Sequence, residues 1–206
     1  MIRIAAGFLA LALVTFNAPA APTLKGKETY YYPTTEGDKR VYETREGDRV
    51  RETSDVVTKV EKKDGTMIVS VGREVKGELR VVEKVEVSEK GVTHLRSGPF
   101  LLKTPRPDVK LPVKPGEQWS YESDSGDGPV GTKTTYTVGK EEEIEVPAGK
   151  FKAVRVDNEL TFPGAKGETK VRRSNWYAPG VGLVKLVIDT GTSKTTMVLK
   201  SFTPGK

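Results

Sequence analysis

The stretches Asp64-Gly65-Thr66-Met67-Ile68-Val69-Ser70-Val71 and Lys76-Gly77-Glu78-Leu79-Arg80-Val81-Val82-Glu83-Lys84-Val85-Glu86-Val87 decide the fold class. Met67, Val69 and Val71 fall on one parity of the first run. Leu79, Val81, Val85 and Val87 share one parity of the second, and charged residues fill most alternate positions. Successive side chains on a strand point to opposite faces, so each run predicts a strand with one apolar and one wet face. Asp64-Gly65 signals a tight hairpin, because both residue types tolerate positive φ.

The same pattern extends outward along the chain. Thr134, Tyr136, Val138, Ile144 and Val146 keep one parity, and Val184, Leu186 and Ile188 alternate with Lys185 and Asp189. Turn residues separate the runs at Glu46-Gly47-Asp48, Lys76-Gly77, Lys90-Gly91, Pro163-Gly164, Lys166-Gly167 and Asp189-Thr190-Gly191. Long strands joined by short turns describe an antiparallel meander with one buried and one solvated face. A twisted sheet of about ten such strands rolls up or splits. The expected fold is therefore all-β, with long antiparallel strands in a curved, twisted sheet that forms an open half-barrel or two packed curved sheets. Only 7% of residues are aromatic, so valine, leucine and isoleucine must supply most of the core.

A duplication organises the two β halves. Pro33-Thr34-Thr35-Glu36-Gly37-Asp38-Lys39-Arg40-Val41-Tyr42-Glu43 has a counterpart in Pro112-Val113-Lys114-Pro115-Gly116-Glu117-Gln118-Trp119-Ser120-Tyr121-Glu122, at a constant offset of 79. The first half is read as residues 33–101, the second as 112–203, and the proline-rich segment 102–112 as the connector. Its prolines remove ladder donors, so it cannot be a central strand. Neither half has enough strands to close a core, which makes 33–206 a single domain.

Residues 1–20 read as an export signal. Arg3 precedes an uncharged, mostly apolar run over residues 5–16, and Ala18 and Ala20 suit a signal peptidase cutting after Ala20. The run is shorter than the roughly twenty residues that a spanning helix needs. Residues 21–32 are expected to be flexible, and the product soluble, periplasmic or extracellular, with no transmembrane anchor after cleavage. The 34 Lys and Arg against 28 Asp and Glu give +6, or +5 without Arg3, and the signs alternate along the strands. That is a solvated surface and not a nucleic-acid footprint.

The inventory of reactive groups is small. There is no cysteine and one histidine, His94, in a strand-like run, which argues against a zinc or copper site and against a Ser/His arrangement. No cofactor motif is present. The run Glu141-Glu142-Glu143 would alternate faces on a strand, so its members cannot converge on one substrate. A two-carboxylate glycan hydrolase is the one enzyme class that the inventory leaves open.

Two later stretches are more specific: Val146-Pro147-Ala148-Gly149-Lys150-Phe151, and Trp176-Tyr177-Ala178-Pro179-Gly180-Val181-Gly182-Leu183-Val184. Together they resemble the TapB-like exported bacterial proteins, whose sheets are similar to the half-barrels of the lipoprotein carriers LolA and LolB. The resemblance covers residues 116–200 and implies a curved sheet but no reaction. Pro147, Gly149, Pro179, Gly180 and Gly182 are read as turn geometry.

The expected function is accordingly that of an exported, non-catalytic envelope protein. It would bind an apolar or amphipathic ligand, lipid or a lipidated partner on the curved sheet. Strand parity nominates Trp119, Tyr121, Tyr136, Val154, Val156, Leu160, Phe162, Trp176, Leu183 and Leu186 as the lining. The alternative is a structural or assembly module that pairs with other envelope proteins through strand edges.

Overall fold

A computed structural model describes residues 30–123, 131–164 and 167–206, and among these every regular element is a strand. In chain order they are β1 Lys39–Glu46, β2 Arg49–Lys63, β3 Thr66–Val75, β4 Glu78–Ser88, β5 Gly91–Ser97 and β6 Phe100–Lys110. The second set is β7 Gln118–Glu122, β8 Lys133–Val146, β9 Gly149–Gly164, β10 Gly167–Ala178, β11 Gly182–Asp189 and β12 Lys194–Thr203. They form one twelve-stranded antiparallel sheet in the order β6-β5-β4-β3-β2-β1-β12-β11-β10-β9-β8-β7. Each set of six is a meander, and the two meanders join where β1 pairs with β12.

This order leaves β6 and β7, consecutive in the chain, as the two edges of a nearly closed barrel. No backbone ladder joins them. Side chains of β7 cross the seam instead: Trp119 Nε1 donates to Pro107 O at 3.1 Å, and the Tyr121 hydroxyl to Thr104 O at 3.1 Å. Pro105 and Pro107 on β6 have no N–H to offer a ladder, so accepting from side chains is the chemistry left to that edge. The proline-rich segment read as a connector is thus an edge strand over residues 100–110.

The turns follow the sequence. Asp64 and Gly65 take φ of 49° and 75°, and Lys76 and Gly77 take 55° and 81°, as two-residue hairpins of the primed type require.

Burial splits into two clusters on opposite faces of β9. Val69, Val71, Val85, Val87, Trp119, Tyr136, Val154, Val156 and Tyr177 belong to the first, where Trp119 stacks on Tyr136 with ring centroids 5.0 Å apart. Phe151, Ala153, Trp176, Val184 and Leu199 belong to the second. It closes where Ala148, at the β8–β9 tip, donates its N–H to Leu199 O on β12 at 3.1 Å.

Bulges decide which side chains reach these clusters. Val71 pairs with Glu83 but Gly72 pairs with Val81, so Val82 is an extra residue on β4. Parity flips there: Val85 and Val87 are fully buried, whereas Leu79 and Val81 are 61% and 45% exposed. Their expected shared face does not exist. A second bulge between Val138 and Glu141 carries Ile144 and Val146 to the second cluster, away from Tyr136 and Val138.

Residues 1–29, with the expected signal and most of the flexible segment, lie outside the described residues. The end of that segment is not loose. Tyr31 and Tyr32 are buried in the first cluster, and Tyr30 O accepts from Gly180 N at 2.7 Å.

Candidate functional site

The first cluster encloses charged side chains. Register brings them together: Arg40 on β1 pairs with Asp55 on β2, and Asp55 with Arg73 on β3, so the three lie in one row on one face. Arg73 grips Asp55 with two bonds, Nε to Oδ1 at 2.6 Å and Nη2 to Oδ2 at 2.9 Å. The β4 bulge turns Glu83 to the same interior. There it accepts from the Tyr32 hydroxyl at 2.6 Å and lies 3.6 Å from Arg40 Nη2. His94 on β5 stands between two carboxylates, with Nε2 3.9 Å from Glu83 Oε2 and Nδ1 2.7 Å from Asp108 Oδ2. Arg106 on β6 completes the chain at 3.1 Å from Asp108 Oδ1.

Two tyrosine rings also hold Arg40. Its guanidinium carbon lies 5.0 Å from the Tyr32 ring centre and 5.9 Å from that of Tyr42, whose hydroxyl donates to Leu183 O at 2.9 Å. The Arg40 side chain is only 4% exposed. A cation so placed is tolerable only when paired, because its effective desolvation penalty is several kcal/mol.

The ionisation of each group follows from these neighbours. Burial pushes the Glu83 carboxyl up, but Arg40, His94, the Tyr32 hydrogen bond and Arg73 together hold it below the usual carboxylate range. Asp108 behaves alike: burial raises it, and His94 and Arg106 reverse the effect and leave it well below that range. Burial disfavours the His94 imidazolium, yet the Asp108 and Glu83 charges outweigh that and raise its pKa. Burial raises the Tyr42 hydroxyl to about 12.

Such a centre is poor in reactive chemistry. Two flanking carboxylates raise the His94 pKa and so favour an ion-pair role over that of a waiting base. A glycosidase acid needs a raised pKa, and Glu83 and Asp108 are both held down. Among the described residues, no group of three or more His, Asp or Glu is arranged to hold a metal ion.

Space is equally limited. The hollow bounded by Tyr32, Arg40, Glu83, His94, Asp108 and Tyr177 measures about 90 Å³. A larger groove of about 440 Å³ lies over β8–β10. Several of its charges are paired: Arg155 bonds Asp157 at 2.9 Å, and Glu159 receives the neighbouring Lys170 at 3.0 Å and Arg172 at 3.3 Å, whereas Arg173 Nε is buried without a hydrogen-bond partner. The Lys170 and Arg172 hydrogen bonds hold the Glu159 carboxyl below its ordinary value.

The structure disperses the residues nominated from the sequence. Trp119, Tyr121, Tyr136, Val154 and Val156 are packed together in the first cluster, with Leu183 against it. Trp176 is on the other face, in the second cluster, where it bonds Glu142 through Nε1 and carries Arg155 and Lys185 over its ring. Leu160 sits beside Arg106 and Tyr121, Phe162 lies at the β9–β10 tip, and Leu186 is half-buried opposite Asn175. Gly149, Gly180 and Gly182 all have positive φ, and Pro147 and Pro179 lie in the two tight bends.

Sequence reasoning missed Arg40, Asp55, Arg73, Glu83 and Asp108. One signal was present, since Glu83 shares parity with Val85 and Val87.

Residues 131–186 match the family described as DUF3108-like, a span running from just before β8 into β11. No curated protein sequence matches the chain. Two solved structures share the fold. One is a Bacteroides fragilis protein described as a candidate exported protein with a YmcC-like fold, 15% identical, with a TM-score of 0.58 over 84% of this chain and 99% of its own. The other is a candidate lipoprotein of Parabacteroides distasonis, also 15% identical, with a TM-score of 0.53 over 86% of this chain and 100% of its own. The chain is thus similar in fold to candidate exported proteins and lipoproteins, and its residues 131–186 are similar in sequence to the DUF3108-like family; the finer likeness to TapB-like proteins and lipoprotein carriers is not what these matches reach.

Proposed function

We propose that the protein is an exported, non-catalytic envelope module that acts through contacts with other proteins, and not by carrying an apolar ligand inside its barrel. One observation carries this reading. The barrel centre is occupied by its own paired charges, around a hollow of about 90 Å³. Sites for small organic ligands generally enclose about 300–1,000 Å³ and are mostly apolar. A lipid chain would have to displace Tyr32, Arg40 and Tyr42 and strand the Glu83 carboxylate, which Arg40 neutralises and the Tyr32 hydroxyl bonds. Export is supported by the leader-like residues 1–20 and by the description of the B. fragilis neighbour.

The two-half organisation is part of the proposal. Its support is that Gly37 N and Gly116 N donate to Val57 O and Val138 O, while Asp38 N and Glu117 N donate to Thr35 O and Lys114 O. The turn bond recurs at the offset of 79 already present in the sequence, and the two glycine donors keep that offset although their acceptors lie 81 residues apart.

Chemical crosslinking in intact cells, followed by mass spectrometry, tests the reading. A reproducible protein neighbour at one face supports it. Capture of a displaceable fluorescent fatty acid by the purified chain would overturn it in favour of the carrier.

A further inference from the structure

The ladder between β4 and β5 stops short of the end of β4. Its last pair is Glu83 with Ser97, followed by a bond of 2.8 Å from Gly98 N to Val82 O. Residues 78–81 pair with β3 on one side only, so among the described residues their other edge has no strand partner. Leu79 and Val81 on this stretch are 61% and 45% exposed, and Phe100 and Leu101 at the start of β6, next to the β5 end that bonds Val82, are 52% and 65% exposed. An open strand edge beside exposed apolar residues is a template for another strand.

The sequence of the edge specifies which strand fits. Glu78 and Arg80 lie on one face, where Arg80 Nη2 bonds Glu78 Oε2 at 2.7 Å, and Leu79 lies on the other. If a second copy approaches antiparallel with its two-fold axis at Leu79, Glu78 of each copy faces Arg80 of the other. Leu79 then meets Leu79. Val81 falls opposite Gly77, which has no side chain to obstruct it. Shifting the register by two residues, to an axis at Arg80 or Glu78 and its neighbours, sets like charges opposite each other, which is destabilising in a sheet. The charge order Glu-Leu-Arg is therefore self-complementary about one centre.

We infer that residues 77–81 form a homotypic docking strand, through which two copies of this chain join by antiparallel pairing of β4. This deepens the proposed protein-contact function and rests on it. The contact is short, so the dimer is weak and concentration-dependent, as small interfaces are.

Sedimentation velocity on the full chain, purified as it accumulates in cells, tests the inference over about 1 to 300 μM, where mass action makes a weak dimer visible. Wild type shifts from monomer to dimer across the series. Glu78→Arg sets four cations along the shared row, and Arg80→Glu four anions; each weakens the dimer by at least about tenfold. The double swap Glu78→Arg/Arg80→Glu restores the complementarity and returns the dissociation constant to near the wild-type value. Rescue separates pairing from simple misfolding.

Monomer at every concentration, a larger oligomer, or a dimer indifferent to both single changes overturns the inference. Failure here, with one dominant crosslinked neighbour in cells, leaves the protein-contact reading standing with a different partner. Binding of the fatty-acid probe instead removes that reading itself.

Discussion

Arg40→Met is the most informative single change. It keeps the length and apolar stem of the side chain and deletes only the charge that lies 3.6 Å from Glu83 Oε2 and beneath the two tyrosine rings. Removing one member of a buried ion pair generally costs about 3–5 kcal/mol, because the other charge is left uncompensated. Glu83 keeps the Tyr32 hydroxyl and the more distant His94, which places the expected loss toward the lower end, about 3 kcal/mol. For a domain of this size that corresponds to a melting temperature lower by about 6–12 °C. Urea unfolding is the assay, with an unchanged m-value showing that the two end states keep their compactness. Glu83→Gln in the Arg40→Met background should recover at least about 1 kcal/mol, the signature of coupling between contacting groups. The single change should also hurt less at pH 4 than at pH 7, since protonated Glu83 no longer needs its cation. A loss below about 1 kcal/mol, or strictly additive single changes, would refute the claim that paired charges hold the interior.

The His94 pair gives a pH window. His94 is raised, so its contribution is complete below the unfolded value of about 6.5 and is lost as pH rises through the folded value. Glu83 and Asp108 are lowered, so theirs is complete above the unfolded values of about 4 and is lost as pH falls through the folded ones. Stability from this network should therefore peak between about pH 4 and 6.5, and His94→Gln should flatten the decline on the alkaline side in urea titrations. At the seam, Trp119→Phe removes the bond to Pro107 O and should cost about 1–3 kcal/mol; hydrogen exchange should then quicken on β6 and β7 before it does on the β1–β12 ladder. Equal quickening at both places would mean that the seam is not the weaker closure. Gly91→Ala would put its Cβ 1.9 Å from Val109 O at a φ of 132° and should cost more than about 3 kcal/mol. Gly116→Ala, with open space but a φ of 86°, should cost only about 1 kcal/mol in the same denaturation series.

The sheet was legible because its signals are local. Alternation around Val69, Val71, Val85 and Val87, and the Asp64-Gly65 and Lys76-Gly77 bends, belong to neighbouring residues and need no tertiary information. What the sequence concealed came from register. One inserted residue, Val82, sends Leu79 and Val81 to solvent although they share parity with Val85. Glu83, on the parity of Val85, points into an interior that alternation had reserved for apolar groups. The charged centre was also scattered, with Tyr32, Arg40, Asp55, Glu83, His94 and Asp108 converging from separate strands and one N-terminal segment. No spacing rule links such positions, because curvature of the sheet and not sequence distance makes them neighbours. Trp176 shows the converse: strand parity nominated it for the same lining as Val156, yet pairing with Arg155 puts it on the other face.

Native mass spectrometry of the chain purified without detergent addresses the filled interior most directly. The account expects the mass of the polypeptide, alone or as a multiple, with nothing released on collisional heating. A lipid or other apolar molecule that copurifies and leaves only on activation would contradict it, since a cavity of about 90 Å³ lined by paired charges has no room for one.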